Sequence, residues 1–327
     1  MRQLKINIKI LLLLAVAGCS KDEASQPKDG NRIVQVLADN FNLTMMNTVV
    51  SRSNLRTDLN GPGPFTFFAP SDEAFVKSGY PNVVAVLSAS SKLIASLGAY
   101  HTVEGTYDLN KLPFLFNQEI TSRGGKLFVT RWVKGQDTVL TINGSRLLSA
   151  SIPASNGRVQ VIDRMLQPYL HENIGDAIAA ETQLTLFWQA IQRAGMTEQL
   201  KGKGPFTIYA PDNDAMKAYG YATLEAINAA PAEAISAMVK YHLVADRRFV
   251  NDYILSTAIG KNTTTQGMSD NNSITVYLTP HPQQPGAFAG ITLKGIGNTT
   301  EAKLVKQDIN TGNGVLHITD QVLRITQ

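Results

Sequence analysis

The chain is poor in cysteine: Cys19 is the only one among 327 residues. One thiol can form no internal disulfide, which excludes a disulfide-stapled fold. Basic tracts are also missing. The formal net charge of +4 falls to +1 without Arg2, Lys5 and Lys9, because 4 − 3 = 1. No basic run remains that could follow a phosphate backbone, so we expect no nucleic-acid partner.

Motifs for catalysis, cofactors and metals are absent as well. The sequence contains no phosphate-binding loop, dinucleotide fingerprint or serine-nucleophile elbow. Its five histidines show no HxxxH or cysteine-paired spacing, and residues 270–272 lack the ligand spacing of a calcium loop. We therefore expect a protein that is not an enzyme and that holds neither a metal nor a cofactor.

The N-terminus has the pattern of an export signal. Basic residues precede an unbroken apolar run at residues 10–17, far short of the roughly 20 residues that a membrane-spanning helix needs. Residues 16–19 read VAGC, which resembles a bacterial lipobox. We predict that residues 1–18 are a signal peptide and that the lipidated Cys19 holds the protein on a membrane. The alternative is an ordinary cleaved signal followed by a chance cysteine.

The cysteine is followed by Ser20, Lys21, Asp22 and Glu23. This short run resembles the surface-export signal of lipoproteins from the Bacteroidetes, and it predicts a lipid-anchored protein of the outer membrane that faces the cell exterior. The alternative is a solvated tether. In either case we expect residues 19–31 to form a flexible linker, since they are polar and contain proline and glycine.

Two landmarks recur at one spacing. Residues 63–70 read GPFTFFAP and residues 204–211 read GPFTIYAP, an offset of 204 − 63 = 141. The same offset carries the pair Tyr100-His101 onto Tyr241-His242. The chain is therefore a tandem duplication, for which we predict a first domain at residues 32–168 and a second at residues 172–327.

Each repeat has the same predicted order of elements. A helix leads to the GPFT strand, and Ser71 or Asp72 in the first copy and Asp212 or Asn213 in the second can cap the following helix. Asn143-Gly144 is a strong hairpin signal.

Each repeat closes on a paired motif, at residues 156–163 and 313–320, whose offset is 313 − 156 = 157. The second copy therefore holds 157 − 141 = 16 extra residues, which we expect in a loop at about 261–290. Since loops commonly carry binding, we expect this loop to determine copy-specific recognition.

Three ordered motifs, each found twice, resemble those of the fasciclin domain family: the GPFT box, the central Tyr-His and the closing Asn-Gly strand. The resemblance covers nearly the whole chain from Ile33 to Thr326. It implies an α+β fold in which several helices pack against a wedge of two small sheets. It also implies extracellular adhesion or matrix binding, usually by tandem domains.

The resemblance makes Tyr100, His101, Tyr241 and His242 candidate ligand contacts, because this region is implicated in adhesion in the family. The alternative is a half-buried histidine whose ring nitrogens satisfy backbone groups. Residues 137–139 read DTV, which resembles an O-glycosylation acceptor of the Bacteroidetes but equally suits a strand-entry threonine.

The functional expectation is a cell-surface adhesion module that binds an extracellular protein or glycan. The alternative is an accessory lipoprotein that captures a glycan or peptide beside an outer-membrane transporter. Two tethered copies suit adhesion, because the second weak contact becomes intramolecular. Surface anchoring and the 16-residue insertion suit the uptake role equally well.

Overall fold

The computed structural model describes residues 31–326. Each repeat folds as helices packed against β-strands, which confirms the predicted α+β class and the tandem organisation. The predicted lipidation site Cys19 and the predicted export signal at Ser20, Lys21, Asp22 and Glu23 lie outside the described residues.

Both repeats begin with three helices, continue with three more after the central strand, and the second repeat adds one further helix. The helices are α1 Ile33–Ala38, α2 Thr44–Arg52, α3 Leu55–Leu59, α4 Asp72–Lys77, α5 Val83–Ser88, α6 Ser91–Tyr100, α7 Ile174–Ala180, α8 Thr185–Arg193, α9 Thr197–Lys201, α10 Asn213–Tyr219, α11 Leu224–Ala229, α12 Ala232–Lys240 and α13 Val250–Ser256. Ser71 caps α4 and Asp212 caps α10, each accepting a backbone N–H, as predicted.

The strands follow the same order in the two repeats. They are β1 Phe65–Pro70, β2 Thr102–Glu104, β3 Gln118–Ser122, β4 Gly125–Lys134, β5 Asp137–Ile142, β6 Ser145–Arg146, β7 Ile152–Ala154, β8 Gly157–Ile162, β9 Phe206–Pro211, β10 Leu243–Val244, β11 Thr263–Gly267, β12 Ser273–Pro280, β13 Phe288–Lys294, β14 Ala302–Thr311 and β15 Gly314–Thr319. In the first domain they form two four-stranded sheets, and in the second a seven-stranded sheet.

The two repeated motifs are neighbours in the fold. β1 pairs in parallel with β8, so that Phe65 lies opposite Gly157, and β9 pairs with β15 in the same way. A Cβ on Gly157 would lie 2.0 Å from the Phe65 carbonyl oxygen, a distance that no side chain tolerates. The closing motif therefore needs a glycine here, because the backbone of the paired GPFT strand lies too close for a side chain.

The asparagine before that glycine ties three segments together. The Asn156 amide donates to the carbonyls of Leu59 and Gly61, and its oxygen accepts the Ile33 N–H at 2.9 Å. Asn313 makes the equivalent three bonds in the second domain. The closing motif thus fastens the N-terminal helices to the central strands.

The 16 additional residues of the second domain lie in three places rather than one. The buried pair Val129–Ile142 is equivalent to Val276–Leu293. Tyr100 Oη donates to the carbonyl of Lys126, three residues before Val129, and Tyr241 Oη donates to that of Ser273, three residues before Val276. The offset is 276 − 129 = 147 at the first members and 293 − 142 = 151 at the second. Six residues are therefore added before β12, four between β12 and β13, and six between β13 and the closing motif. The segment with the first addition contains α13.

The prediction of one long loop at residues 261–290 is wrong. This stretch contains β11, β12 and the start of β13. Its alternating residues Ile274, Val276 and Leu278 are buried in the core of the second domain. The turn residues at 270–272 and the neighbouring prolines conceal this alternation in the sequence, and the connections between the strands there are the turn at 268–272 and the hairpin tip at 281–287.

β14 joins the two halves of the second domain into one sheet and carries an irregular segment. It pairs with β13 through Ala302 and Lys303 and with β15 from Leu304 onward. Its register with β15 shifts twice between Leu304 and Ile309, and Asp308 takes a positive φ of 59°. Such bulges redirect side chains, and this one turns Asp308 toward the first domain.

Candidate functional site

Both histidines of the Tyr-His pairs are fully buried. His101 Nδ1 lies 2.8 Å from the Leu97 carbonyl, and Nε2 accepts the Leu166 N–H at 3.1 Å. Because Nε2 accepts, Nδ1 carries the proton, and the ring is neutral. Burial lowers the pKa of His101 to about 4, which agrees with this neutral form.

His242 repeats this arrangement, with Nδ1 2.8 Å from the Met238 carbonyl and Nε2 accepting the Leu323 N–H at 2.9 Å. Burial lowers the pKa of His242 to about 4 as well. Each histidine fastens the end of a helix to the segment after the closing strand. The rings are fully buried rather than half-buried, and both nitrogens of each ring are already bonded within the protein.

The two tyrosines are buried too, but their surroundings differ. Tyr241 Oη donates to the Ser273 carbonyl and accepts the Ile296 N–H, both within its own domain. Tyr100 Oη donates to the Lys126 carbonyl and accepts from Asn310 of the second domain at 3.2 Å. In this conformation the four predicted ligand contacts expose no surface to a ligand, and Tyr100 belongs to the junction between the domains.

That junction is centred on a buried carboxylate in α13. Asp252 accepts from Asn117 Nδ2 at 2.8 Å and from Thr130 Oγ1 at 3.2 Å, both in the first domain. It also accepts the Phe249 N–H at 2.8 Å. Burial raises the pKa of Asp252 to about 6, against the smaller opposing effect of these donors and of Arg248. The helix that the first domain lacks therefore provides the central polar contact between the domains.

An arginine spans the junction beside this carboxylate. The Arg247 guanidinium lies over the Phe128 ring of the first domain, 3.6 Å from its centroid. It also donates to Asn310 Oδ1 and to the carbonyls of Thr311 and Gly314. Burial lowers the pKa of Arg247 to about 10, and the group stays charged at neutral pH. Cation–π stacking and several accepting oxygens together offset the loss of hydration.

A salt bridge closes one side of the junction. Arg164 of the first domain lies 2.7 Å from the bulge residue Asp308, whose side chain is only 8% exposed. The other Asp308 oxygen accepts the Val250 N–H at 2.8 Å. Salt-bridge, hydrogen-bond and cation–π contacts thus join the two domains at this junction.

Sequence reasoning missed this junction. No motif marks Asn117, Arg164, Arg247, Asp252 or Asp308, and the bonds that cross between the domains join residues more than 100 positions apart. The one available signal was the difference in length between the repeats, because the first addition lies in the segment that carries α13.

Each domain has a cleft at the same place, between the helix after its central strand and the segment after its closing strand. The cleft of the first domain holds about 260 Å³ and that of the second about 330 Å³. They share equivalent positions at offsets of 141 and 157: Ser78 and Tyr219, Arg164 and Gln321, and Gln167 and Arg324. The first cleft is also lined by Asp308 of the second domain, so the junction covers it.

The described residues 31–326 contain no cluster of three or more histidine, cysteine or acidic side chains that could hold a metal ion. No helix in that range combines the length and the apolar character needed to cross a membrane. Thr138 is exposed at the start of β5, a position that suits both the acceptor and the strand-entry interpretation.

A family model and several individual proteins match most of the chain. A family model described as "Fasciclin domain" matches residues 41–168 and 182–325. Human periostin is 31% identical over 283 residues, which cover 83% of this chain and 29% of periostin. Rabbit transforming growth factor-beta-induced protein ig-h3 is 28% identical over 272 residues, which cover 82% of this chain and 36% of that protein. The chain thus spans about a third of the length of these relatives.

Among solved structures, a FAS1 domain pair from the insect cell adhesion molecule Fasciclin I aligns with 86% of this chain and 96% of that chain, at 16% identity and a TM-score of 0.40.

Proposed function

The chain belongs to the fasciclin domain family, and from this membership we propose that it is a non-enzymatic binding or adhesion protein held at the cell surface. The observation that carries the proposal is the match of the family model to both domains. Fasciclin domains are found in cell adhesion proteins. The partner we propose is an extracellular protein or glycan.

The structure supports a role that needs rigid presentation. A buried interface with Arg247, Asp252 and the Arg164–Asp308 pair joins the domains, and such an interface favours a constant spacing between their outer faces. Two sites at a constant spacing on one tether raise the effective concentration of the second contact. This arrangement suits attachment to a large or repetitive partner.

We further propose that lipidation of Cys19 anchors the chain in an outer membrane, with Ser20, Lys21, Asp22 and Glu23 directing it to the outer face. Substituting Cys19→Ala should move the protein from the membrane fraction to the soluble fraction. Protease added to intact cells should degrade the wild-type protein. Protection of the protein until the cells are lysed would contradict the outward orientation.

Binding is tested with the soluble chain from Lys21 onward, applied to arrays of matrix proteins and glycans and to intact cells. We expect retention on cells or on at least one class of matrix ligand. Absence of binding on every surface would contradict the adhesion role. Retention on glycans together with co-purification of an outer-membrane transporter would favour the uptake role instead.

The structure also changes the test for copy-specific recognition. Deleting residues 261–290 would remove the buried residues Ile274, Val276 and Leu278 and would unfold the domain. The exposed hairpin tip at 281–287 can be shortened without touching the core. If recognition lies in the added residues, this shorter deletion should weaken binding while the unfolding temperature stays the same.

A further inference from the structure

The two equivalent clefts differ in what covers them. In the first domain, the bulge of β14 from the second domain lies against the cleft and places the Asp308 carboxylate on Arg164 at 2.7 Å. The second cleft is lined only by residues of its own domain within the described chain. We infer that the second cleft binds a carboxylate-bearing loop of a partner protein, as the first cleft binds Asp308.

The second cleft carries a cation suited to this ligand. The Arg324 guanidinium lies 5.0 Å from the centroid of the Tyr219 ring. No residue in the described range accepts a hydrogen bond from that guanidinium. A guanidinium held near an aromatic ring by a cation–π contact can still donate its N–H groups, and their fork matches the two oxygens of a carboxylate.

The two amide side chains of the second cleft are hydrogen-bonded within the domain. The Asn298 side chain donates to the Val322 carbonyl and accepts the backbone N–H of Arg324. Gln321 donates to the Glu301 carbonyl and accepts from the hydroxyl of the neighbouring Thr300. Among the described residues that line this cleft, Arg324 is the only cation, and its guanidinium donors remain available for a ligand.

The positions that changed between the copies are those that make the second cleft suitable for an external ligand. Tyr219 stands where the first domain has Ser78, and Arg324 stands where it has Gln167. The two clefts thus carry their arginine at different positions, since Gln321 occupies the position of Arg164 in the second cleft. The first cleft receives its carboxylate from within the chain, whereas the second has a cation at a different position with a tyrosine ring near it.

The surroundings favour a single carboxylate over a phosphate. Asp320 also lines the cleft and is exposed, so a dianion would meet more repulsion than a monoanion. Ala218 and Val322 provide apolar wall for the carbon atoms next to the charge. The volume of about 330 Å³ lies at the lower end of the roughly 300–1,000 Å³ typical of ligand pockets, which suits the tip of a loop.

A second copy of this chain does not supply the carboxylate through its own bulge. Asp308 is only 8% exposed there and is already bound to Arg164. In this proposal the ligand is an aspartate or glutamate on a surface loop of a partner protein. This inference rests on the proposed adhesion function and specifies the chemistry of its partner.

The probe is the acetylated and amidated peptide KQDIN, which copies residues 306–310, with KQNIN as the uncharged control. Titration into the complete soluble chain, followed by NMR, should show millimolar binding of KQDIN and at least tenfold weaker binding of KQNIN. Arg324→Gln should weaken KQDIN binding at least tenfold. Tyr219→Ser, which restores the residue of the first domain, should weaken it several-fold.

Arg158→Gln is the matched control, because it removes a guanidinium from β8 of the first domain, outside the cleft. It should leave KQDIN binding unchanged. A thermal unfolding curve for each variant shows that the fold is kept. Equal binding of the two peptides, equal binding by Arg324→Gln and wild type, or absence of KQDIN binding would each overturn the inference.

These outcomes are separate from the test of the proposed function. If the wild-type chain and Arg324→Gln bind cells or matrix equally well, the adhesion role stands and the cleft is not its site. If KQDIN binds through Arg324 while the chain is retained on no cell or matrix surface, the cleft stands and the adhesion role fails.

Discussion

Asp252 offers the most direct test of how the two domains are held together. Its carboxyl is fully buried at the junction, and burial raises its pKa from 3.8 to about 6. A carboxyl with a raised pKa binds its proton more tightly in the folded protein than in the unfolded chain. It therefore stabilises the fold fully below pH 3.8, and this contribution is lost as the pH rises to about 6.

The substitution Asp252→Asn removes this titration while keeping the shape of the side chain and one accepting oxygen. The pKa of about 6 lies 6 − 4.5 = 1.5 units above pH 4.5, and each unit corresponds to about 1.4 kcal/mol. The wild-type protein therefore loses ~2 kcal/mol through this group between pH 4.5 and pH 7.5. The variant loses none of it.

The assay is urea unfolding of both proteins at the two pH values, followed by circular dichroism. The free energy of unfolding of the variant minus that of the wild type should be ~2 kcal/mol larger at pH 7.5 than at pH 4.5. All other titrating groups cancel in this difference. The exposed Glu73, whose pKa is lowered through its bond to Lys77, is the control: for Glu73→Gln the difference should change in the opposite direction.

If the gap between Asp252→Asn and the wild type is the same at both pH values, the carboxyl does not titrate in this range. The reasoning from burial at the junction would then be wrong.

Three further predictions concern single contacts. Asn156→Ala and Asn313→Ala each leave two carbonyls and one amide without their side-chain partner. Each substitution should lower the free energy of unfolding, measured in urea, by about 2–4 kcal/mol. A loss below about 1 kcal/mol would contradict the role of these asparagines in joining the helices to the central strands. A double-mutant cycle with Arg164→Gln and Asp308→Asn should give a coupling energy of about 1–3 kcal/mol, whereas additive losses would show that the pair does not join the domains. His101 has its pKa lowered to about 4 by burial, so its stabilising contribution is present above pH 6.5 and is lost as the pH falls toward 4. Between pH 6.5 and 4.5 the wild type should therefore lose ~2 kcal/mol more stability than His101→Gln, and a difference independent of pH would refute the neutral buried ring.

The repeated motifs could be interpreted from the sequence because their contacts are either local or occur in the same way in both copies. The GPFT strand, the caps at Ser71 and Asp212 and the closing Asn-Gly strand all appear where their patterns predict them. The parallel pairing of β1 with β8 explains why the two motifs occur together. Each copy needs both, since neither strand can form this pair alone.

The second domain was harder to predict where it departs from the first. The alternation in β12 is a strand signal, but the turn residues and prolines around it indicate a loop. Tertiary packing decided the outcome, because Ile274, Val276 and Leu278 complete a core that the helices alone do not close. The additional residues are divided among three connections, which a comparison of motif spacings cannot resolve.

The sequence by itself determined that the chain is a duplicated α+β protein with paired structural motifs, since periodicity and repetition reflect contacts that every copy must make. Only the tertiary structure decided that the Tyr-His pairs are internal fasteners, that α13 carries a buried carboxylate between the domains, and that one of two equivalent clefts is covered while the other is open. The histidine contacts join residues 65 and 81 positions apart within one domain, and the other two features depend on residues of different domains more than 100 positions apart. Their partners are chosen by the way the domains dock, and no local pattern records that choice.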